Sequence, residues 1–172
     1  MKPTGSIFSM VAGIMLAVSF LASACHVVPV PPSPTAVSTP VELHTLESAQ
    51  AAVAFPLLIP DSATLPPGVK FDNAQLLPAG KQQSIVLEYA GADQHLELQE
   101  TTLPEGSQLL PPVSEPSEKV FVRSREAFLV EAEPDLSTLI WDENGRVITL
   151  SGNLPRNDLF YIAEGLKTLS PP

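Results

Sequence analysis

The sequence predicts an α+β fold: an antiparallel, curved sheet of about six to seven strands, with an N-terminal and a C-terminal helix packed on it. Three observations carry that expectation. Residues His95–Thr102 alternate, with Leu96 and Leu98 on one side and His95, Glu97 and Gln99 on the other, the period of two expected of a half-solvated antiparallel strand. Asn144-Gly145 stands between Leu139-Ile140-Trp141 and Val147-Ile148-Thr149-Leu150, and Asn-Gly suits the positive φ values of a two-residue type I′ turn. Apolar residues recur at three- and four-residue spacing near both ends of the domain, in Leu46, Ala49 and Val53 and again in Leu159, Ile162, Leu166 and Leu169, as on the buried face of a helix.

Taken in order, Thr45 opens the first helix by accepting a bond from an early N–H, with Glu47 in the turn where the dipole favours it. Phe55-Pro56 ends it, because a residue before proline is pushed out of the α region. Leu57-Leu58-Ile59-Pro60 reads as a short buried connector or edge strand, Leu65-Pro66-Pro67-Gly68 as a turn, and residues 69–77 as a strand. Residues 84–90 form the next strand, with Ile85, Leu87 and Tyr89 on one face, and Gly91-Ala92-Asp93 turns the chain into the alternating strand. Residues 104–118 hold Pro104, Pro111, Pro112 and Pro116. A loop of that length in a compact domain either carries function or moves, and Leu109 and Leu110 are placed in it to fold back as a lid or to cover an edge. Residues 120–122 and 128–132 flank the polar turn Arg123-Ser124-Arg125-Glu126 as a hairpin.

The Asn-Gly hairpin follows. Its register sets Glu143 opposite Arg146, Trp141 opposite Ile148 and Leu139 opposite Leu150, with the last two pairs on the core face. Asn153-Leu154-Pro155 opens the closing helix, asparagine as cap and proline in the first turn. Gly165 lies within the helical pattern and implies tight packing there, since glycine costs up to about 1 kcal/mol relative to alanine.

Residues 1–43 read differently. Met1-Lys2 supplies one positive charge, and residues 7–24 carry none, the layout of a secretory signal. Ala22-Ser23-Ala24-Cys25 resembles the lipobox of bacterial lipoproteins, in which small residues precede a cysteine that receives diacylglycerol before cleavage. Leucine is commonest three residues before that cysteine; here Ala22 takes the place and Leu21 stands one position earlier. Three parts are expected: a lipoprotein signal peptide over residues 1–24, a Pro-rich tether over 25–43 and an extracytoplasmic α+β domain over 44–170. The resemblance makes Cys25 the lipidated first residue of the mature chain. An uncleaved anchor would need roughly 20 apolar residues, and this run is at the short end. Pro29, Pro31, Pro32, Pro34 and Pro40 favour extended polyproline structure in the tether, enough to hold a domain roughly 50 Å from a bilayer.

Composition narrows the partners. The full chain has a formal net charge of −10, and loss of Lys2 with the leader makes it one unit more acidic. Such a surface is repelled by phosphate backbones, so nucleic acid is not an expected partner. A single cysteine excludes an intrachain disulfide and a thiol-based metal site.

The order of elements, with the Leu65-Pro66-Pro67-Gly68 turn, the Leu139-Ile140-Trp141-Asp142-Glu143-Asn144-Gly145-Arg146 hairpin and the closing Ile162-Ala163-Glu164-Gly165-Leu166, resembles an uncharacterised bacterial family of extracytoplasmic domains. Relatives of that kind occur in surface lipoproteins and on the outer side of anti-sigma-factor-like membrane proteins. The resemblance covers roughly residues 45–169. It implies a fold, distantly like the half-barrel carriers of lipoproteins, and no catalytic residues.

The chain contains no Gly-rich phosphate loop, no H-E-x-x-H and no G-x-S-x-G. His26 and His44 lie beside the tether and His95 on a solvent face. Glu131, Glu133 and Asp135 form an acidic strand end without EF-hand spacing. Trp141 belongs to the core. Neither catalytic residues, nor a metal, nor a cofactor are expected. The expected role is a non-catalytic, lipid-anchored binding or sensing module on the outer face of a cell membrane, with an envelope protein or a lipid as ligand. The alternative is a carrier or chaperone that holds acyl chains or lipoproteins in an apolar groove.

Overall fold

A computed structural model describes residues 39–79, 82–109, 116–133 and 135–169. The expected signal peptide, Cys25 and the tether up to residue 38 lie outside these residues. The element order is β1 (Val41–Leu43), α1 (Leu46–Ala52), β2 (Leu58–Pro60), β3 (Lys70–Ala79), β4 (Gln82–Ala90), β5 (His95–Thr102), β6 (Ser117–Val122), β7 (Arg125–Glu133), β8 (Leu136–Glu143), β9 (Arg146–Gly152), α2 (Arg156–Glu164) and β10 (Leu166–Thr168).

The main sheet is antiparallel and has eight strands, in the order β1-β3-β4-β5-β9-β8-β7-β6. That exceeds the six to seven expected. The added strand is β1, which falls in the span assigned to the tether and pairs with β3 from Val41↔Leu76 to Leu43↔Ala74. Three residues after Pro40 are too few to display an alternation. A second, two-stranded sheet joins β2 to β10, with Leu58 opposite Thr168 and Leu166 opposite Pro60. The connector at 57–60 is therefore a strand of a separate small sheet.

The Asn-Gly hairpin has the expected register: Leu139↔Leu150, Trp141↔Ile148 and Glu143↔Arg146. Asn144 and Gly145 both take positive φ, 53° and 74°. Arg123 and Ser124 do the same at 52° and 62°, so a two-residue turn joins β6 to β7 without glycine or asparagine.

Leu139, Trp141, Ile148 and Leu150 are fully buried, in one cluster with Leu96, Leu98, Ile85 and Leu87 of the sheet and with Leu159 and Ile162 of α2. At α1, Thr45 and Ser48 form a reciprocal capping box: Ser48 N–H donates to Thr45 Oγ1 at 3.1 Å, and Thr45 N–H donates to Ser48 Oγ at 3.2 Å.

The closing helix departs from the expectation at both ends. Pro155, with no side-chain cap bond, takes the N-cap position. Asn153 is occupied elsewhere, accepting from His95 N–H at 2.6 Å and donating to Asp93 O at 2.8 Å. The helix stops at Glu164, and Leu166 begins β10, so the apolar spacing that ran on to Leu169 spans a helix and a strand. Gly165 makes the break. A Cβ there would stand 2.4 Å from Thr64 Cγ2, so the close packing expected at this glycine is present.

Residues 107–109 of the Pro-rich loop lie beside Phe128 and Asp142, on the sheet face turned away from the helices. Leu110 lies outside the described residues.

Candidate functional site

On a strand whose neighbours two residues away face the core, a charged side chain is carried into the core with them. Three such residues meet at the hairpin end of the main sheet. Glu100 shares the face of Leu96 and Leu98, Glu143 that of Leu139 and Trp141, and Arg146 that of Ile148 and Leu150. All three are buried.

Glu100 and Arg146 form an ion pair between Oε2 and Nη1. The other carboxylate oxygen of Glu100 accepts from Leu58 N–H at 2.7 Å, while Arg146 Nη1 also donates to Pro56 O at 2.6 Å. The Arg146 guanidinium lies 4.9 Å over the Phe55 ring, a cation–π distance. The pair thus grips the backbone of residues 56–58, just where β2 begins. Burial, with a smaller push from Glu143, raises the Glu100 carboxyl to about 7, against the opposing pull of Arg146 and the Leu58 N–H.

Arg123 makes a second grip. Its guanidinium donates to both oxygens of Glu143, at 3.1 and 3.4 Å, to Leu166 O at 2.6 Å and to Glu164 O at 3.3 Å. Its backbone N–H donates to Glu164 Oε1 at 2.6 Å. A cation therefore satisfies carbonyls at the C-terminal end of α2, where the helix dipole favours it. Trp141 Nε1 donates to Glu143 at 3.2 Å. A positive φ at a non-glycine residue costs on the order of 1 kcal/mol, and at Arg123 this set of bonds offsets it.

Each grip holds one strand of the small sheet: the first holds the approach to β2 and the second the start of β10. The charges of the cluster are spent on this fastening. The signal for it was in the sequence, as charged residues in register with apolar ones; Glu143 was read there as the residue opposite Arg146, and its bonds to Arg123 and Trp141 were not foreseen.

A second feature lies between α1, β2 and β3. Phe71 and Tyr89 are directly opposite one another and meet edge to face, with ring centroids 5.7 Å apart. With Leu46, Ile59 and Leu65 they line an apolar pocket of about 300 Å³, with Lys70 and Lys167 also at its wall. The Tyr89 hydroxyl is buried without a hydrogen-bond partner, and burial raises its pKa, so it stays neutral. Arg146 Nε is likewise buried and unpartnered.

Of the residues weighed at the outset, Cys25 lies outside the described part. His95 is exposed, and Glu131 and Asp135 are exposed at the acidic strand end, beside a cleft that Arg156 also lines. Trp141 is in the core. Among the described residues no group of three or more His, Cys, Asp or Glu side chains could hold a metal ion, and no helix is long and apolar enough to cross a membrane.

No curated protein matches the chain. Residues 65–166, more than half of its length, match the model of a family described as Domain of unknown function (DUF4367). The matched span runs from the turn before β3 through α2 to the first residue of β10, and the chain belongs to that family.

Proposed function

We propose that this protein is a non-catalytic binding or sensing module, tethered by lipid at Cys25 to the extracytoplasmic face of a cell membrane. The observation that carries the reading is the Leu21-Ala22-Ser23-Ala24-Cys25 run at the end of a charge-free apolar stretch. Small residues let an extended segment enter a processing enzyme, and the thiol is the group that can be alkylated. Lipoprotein processing adds at least two acyl chains, and two chains hold a protein stably where one does so only marginally.

The binding part of the reading is supported by the division of labour inside the domain. The buried charges are used in holding β2 and β10, while the apolar pocket keeps Leu46, Ile59, Leu65 and Phe71 half-exposed. The alternative, a carrier of lipoprotein acyl chains, needs a groove between sheet and helix. Trp141, Leu159 and Ile162 fill the space under α2, and the hollow beside α1, of about 300 Å³, is at the low end for a small-molecule site. The smaller ligand of a sensing module fits better.

The test is metabolic labelling with a fatty acid in cells making the intact chain. Wild type should take up label and stay with the membrane. Cys25→Ala should lose the label and be released or mislocalised; a variant labelled as strongly as wild type removes the anchor.

A further inference from the structure

The pocket between α1, β2 and β3 has an unusual combination of walls. Leu46, Ile59, Leu65 and Phe71 are large apolar residues left half-exposed around one hollow. Tyr89 is only 3 % exposed, yet its hydroxyl has no partner. That hydroxyl is itself buried, so Tyr89 gives the hollow the apolar part of its ring and no polar group. Lys70 and Lys167 are exposed at the same hollow. They are two of only five lysines in a chain of net charge −10. Asp61 stands 3.5 Å from Lys167 and partly offsets it, whereas Lys70 makes no ion pair among the described residues. A cluster of apolar side chains with ammonium groups at its edge suits a molecule that is greasy at one end and negative at the other. At ~30 Å³ for a group the size of one water, about 300 Å³ takes about ten such groups.

We propose that this pocket binds a small single-chain amphiphile with an anionic head, carboxylate or phosphate, whose aliphatic tail lies against Ile59, Leu65, Phe71 and Tyr89 and whose head meets Lys70 and Lys167. This names a ligand class for the binding role proposed above and rests on that reading. A cationic head on the same tail would meet two like charges, so head charge is the discriminating property.

The experiment uses the intact chain in cells and three photoreactive probes with the same ten-carbon tail, carrying a diazirine at its end and a carboxylate, a phosphate or a trimethylammonium head. Cross-linked peptides are then mapped by mass spectrometry. Labelling should fall on residues 57–71 and on the peptide holding Tyr89, with one or both anionic probes and not with the cationic one. Which anionic probe labels identifies the head. Ile59→Trp, which fills the hollow, should abolish labelling. Lys70→Glu, an exposed change that leaves the core intact, should reduce it about threefold, as for a partly exposed ion pair. Absence of labelling at these peptides, equal labelling by the cationic probe, or labelling unchanged in both variants overturns the proposal. Membrane and released fractions are mapped separately, so failure of the pocket and failure of the Cys25 anchor give different results.

Discussion

Two ends of the same core face handle polarity in opposite ways. At the hairpin end, Glu100, Glu143, Arg146 and Arg123 bring charge into or against the core, and nearly every donor and acceptor meets a partner. At the other end, beside Phe71 and Tyr89, the hollow is walled mainly by apolar side chains, and the Tyr89 hydroxyl, raised in pKa by burial and then by Glu100, goes unmet. The first arrangement leaves Arg146 Nε unpartnered and holds the small sheet in place. The second also leaves one buried polar atom unmet, and its hollow stays open. Charge in the core therefore serves the structure here, and the apolar hollow lies apart from it. Buried ion pairs seldom add much net stability, but losing one partner of such a pair is expensive, which is the behaviour of a fastening.

The largest expected effect is at the hairpin end. Arg146→Met should cost about 3–5 kcal/mol in denaturant unfolding, because it strands a buried carboxyl. The loss should depend on pH. The folded Glu100 carboxyl lies at about 7, above its ordinary 4.5, so the folded state binds more protons in that window and stability falls as pH rises through it. Arg146 pulls the value down. Without it the folded value climbs further, and the variant goes on losing stability above pH 7, where wild type has levelled. A loss that is flat from pH 5 to 8 would mean that Glu100 is not the stranded group.

Arg123→Ala should cost about 2 kcal/mol through its charge-assisted bonds. Amide exchange should quicken at Leu166 and Leu169 and not at β5. Arg123→Gly should be milder than Ala by about 1 kcal/mol, since glycine accepts the positive φ. Equal costs would show that the turn carries no strain. Smallest, and opposite in sign, Tyr89→Phe should stabilise the chain by about 1 kcal/mol by removing a buried hydroxyl that lacks a partner. A destabilised Tyr89→Phe protein would mean that the hydroxyl does bond within the fold, and the contrast between the two ends would fail.

How far the sequence disclosed this differed from element to element. The Asn144-Gly145 hairpin was legible to the residue because its turn demands two positive φ values and its flanks alternate. The Arg123-Ser124 turn showed a hairpin but not its geometry, because neither residue favours positive φ and the compensating bonds come from Glu143, Glu164 and Leu166, distant in sequence. β10 was hidden because Leu166 and Leu169 continue the helical spacing of Leu159 and Ile162. Gly165 was the stop, and it was read as an interior residue. The pocket was invisible for a different reason: its walls come from five separate elements, and no local pattern encodes the gap they leave.

The bond from Arg146 to the carbonyl of Pro56 reaches across ninety positions of sequence, and it starts inside the family-matched span of residues 65–166 but ends outside it. A fragment excised at those limits would lack β1, α1 and β2 and most of β10. Glu100 would lose its backbone donor, Arg146 its carbonyl, and the small sheet would not exist. The span that matches the family is therefore shorter than the body these bonds tie together, and a domain expressed alone keeps them only if it takes in Pro56, Leu58 and β10.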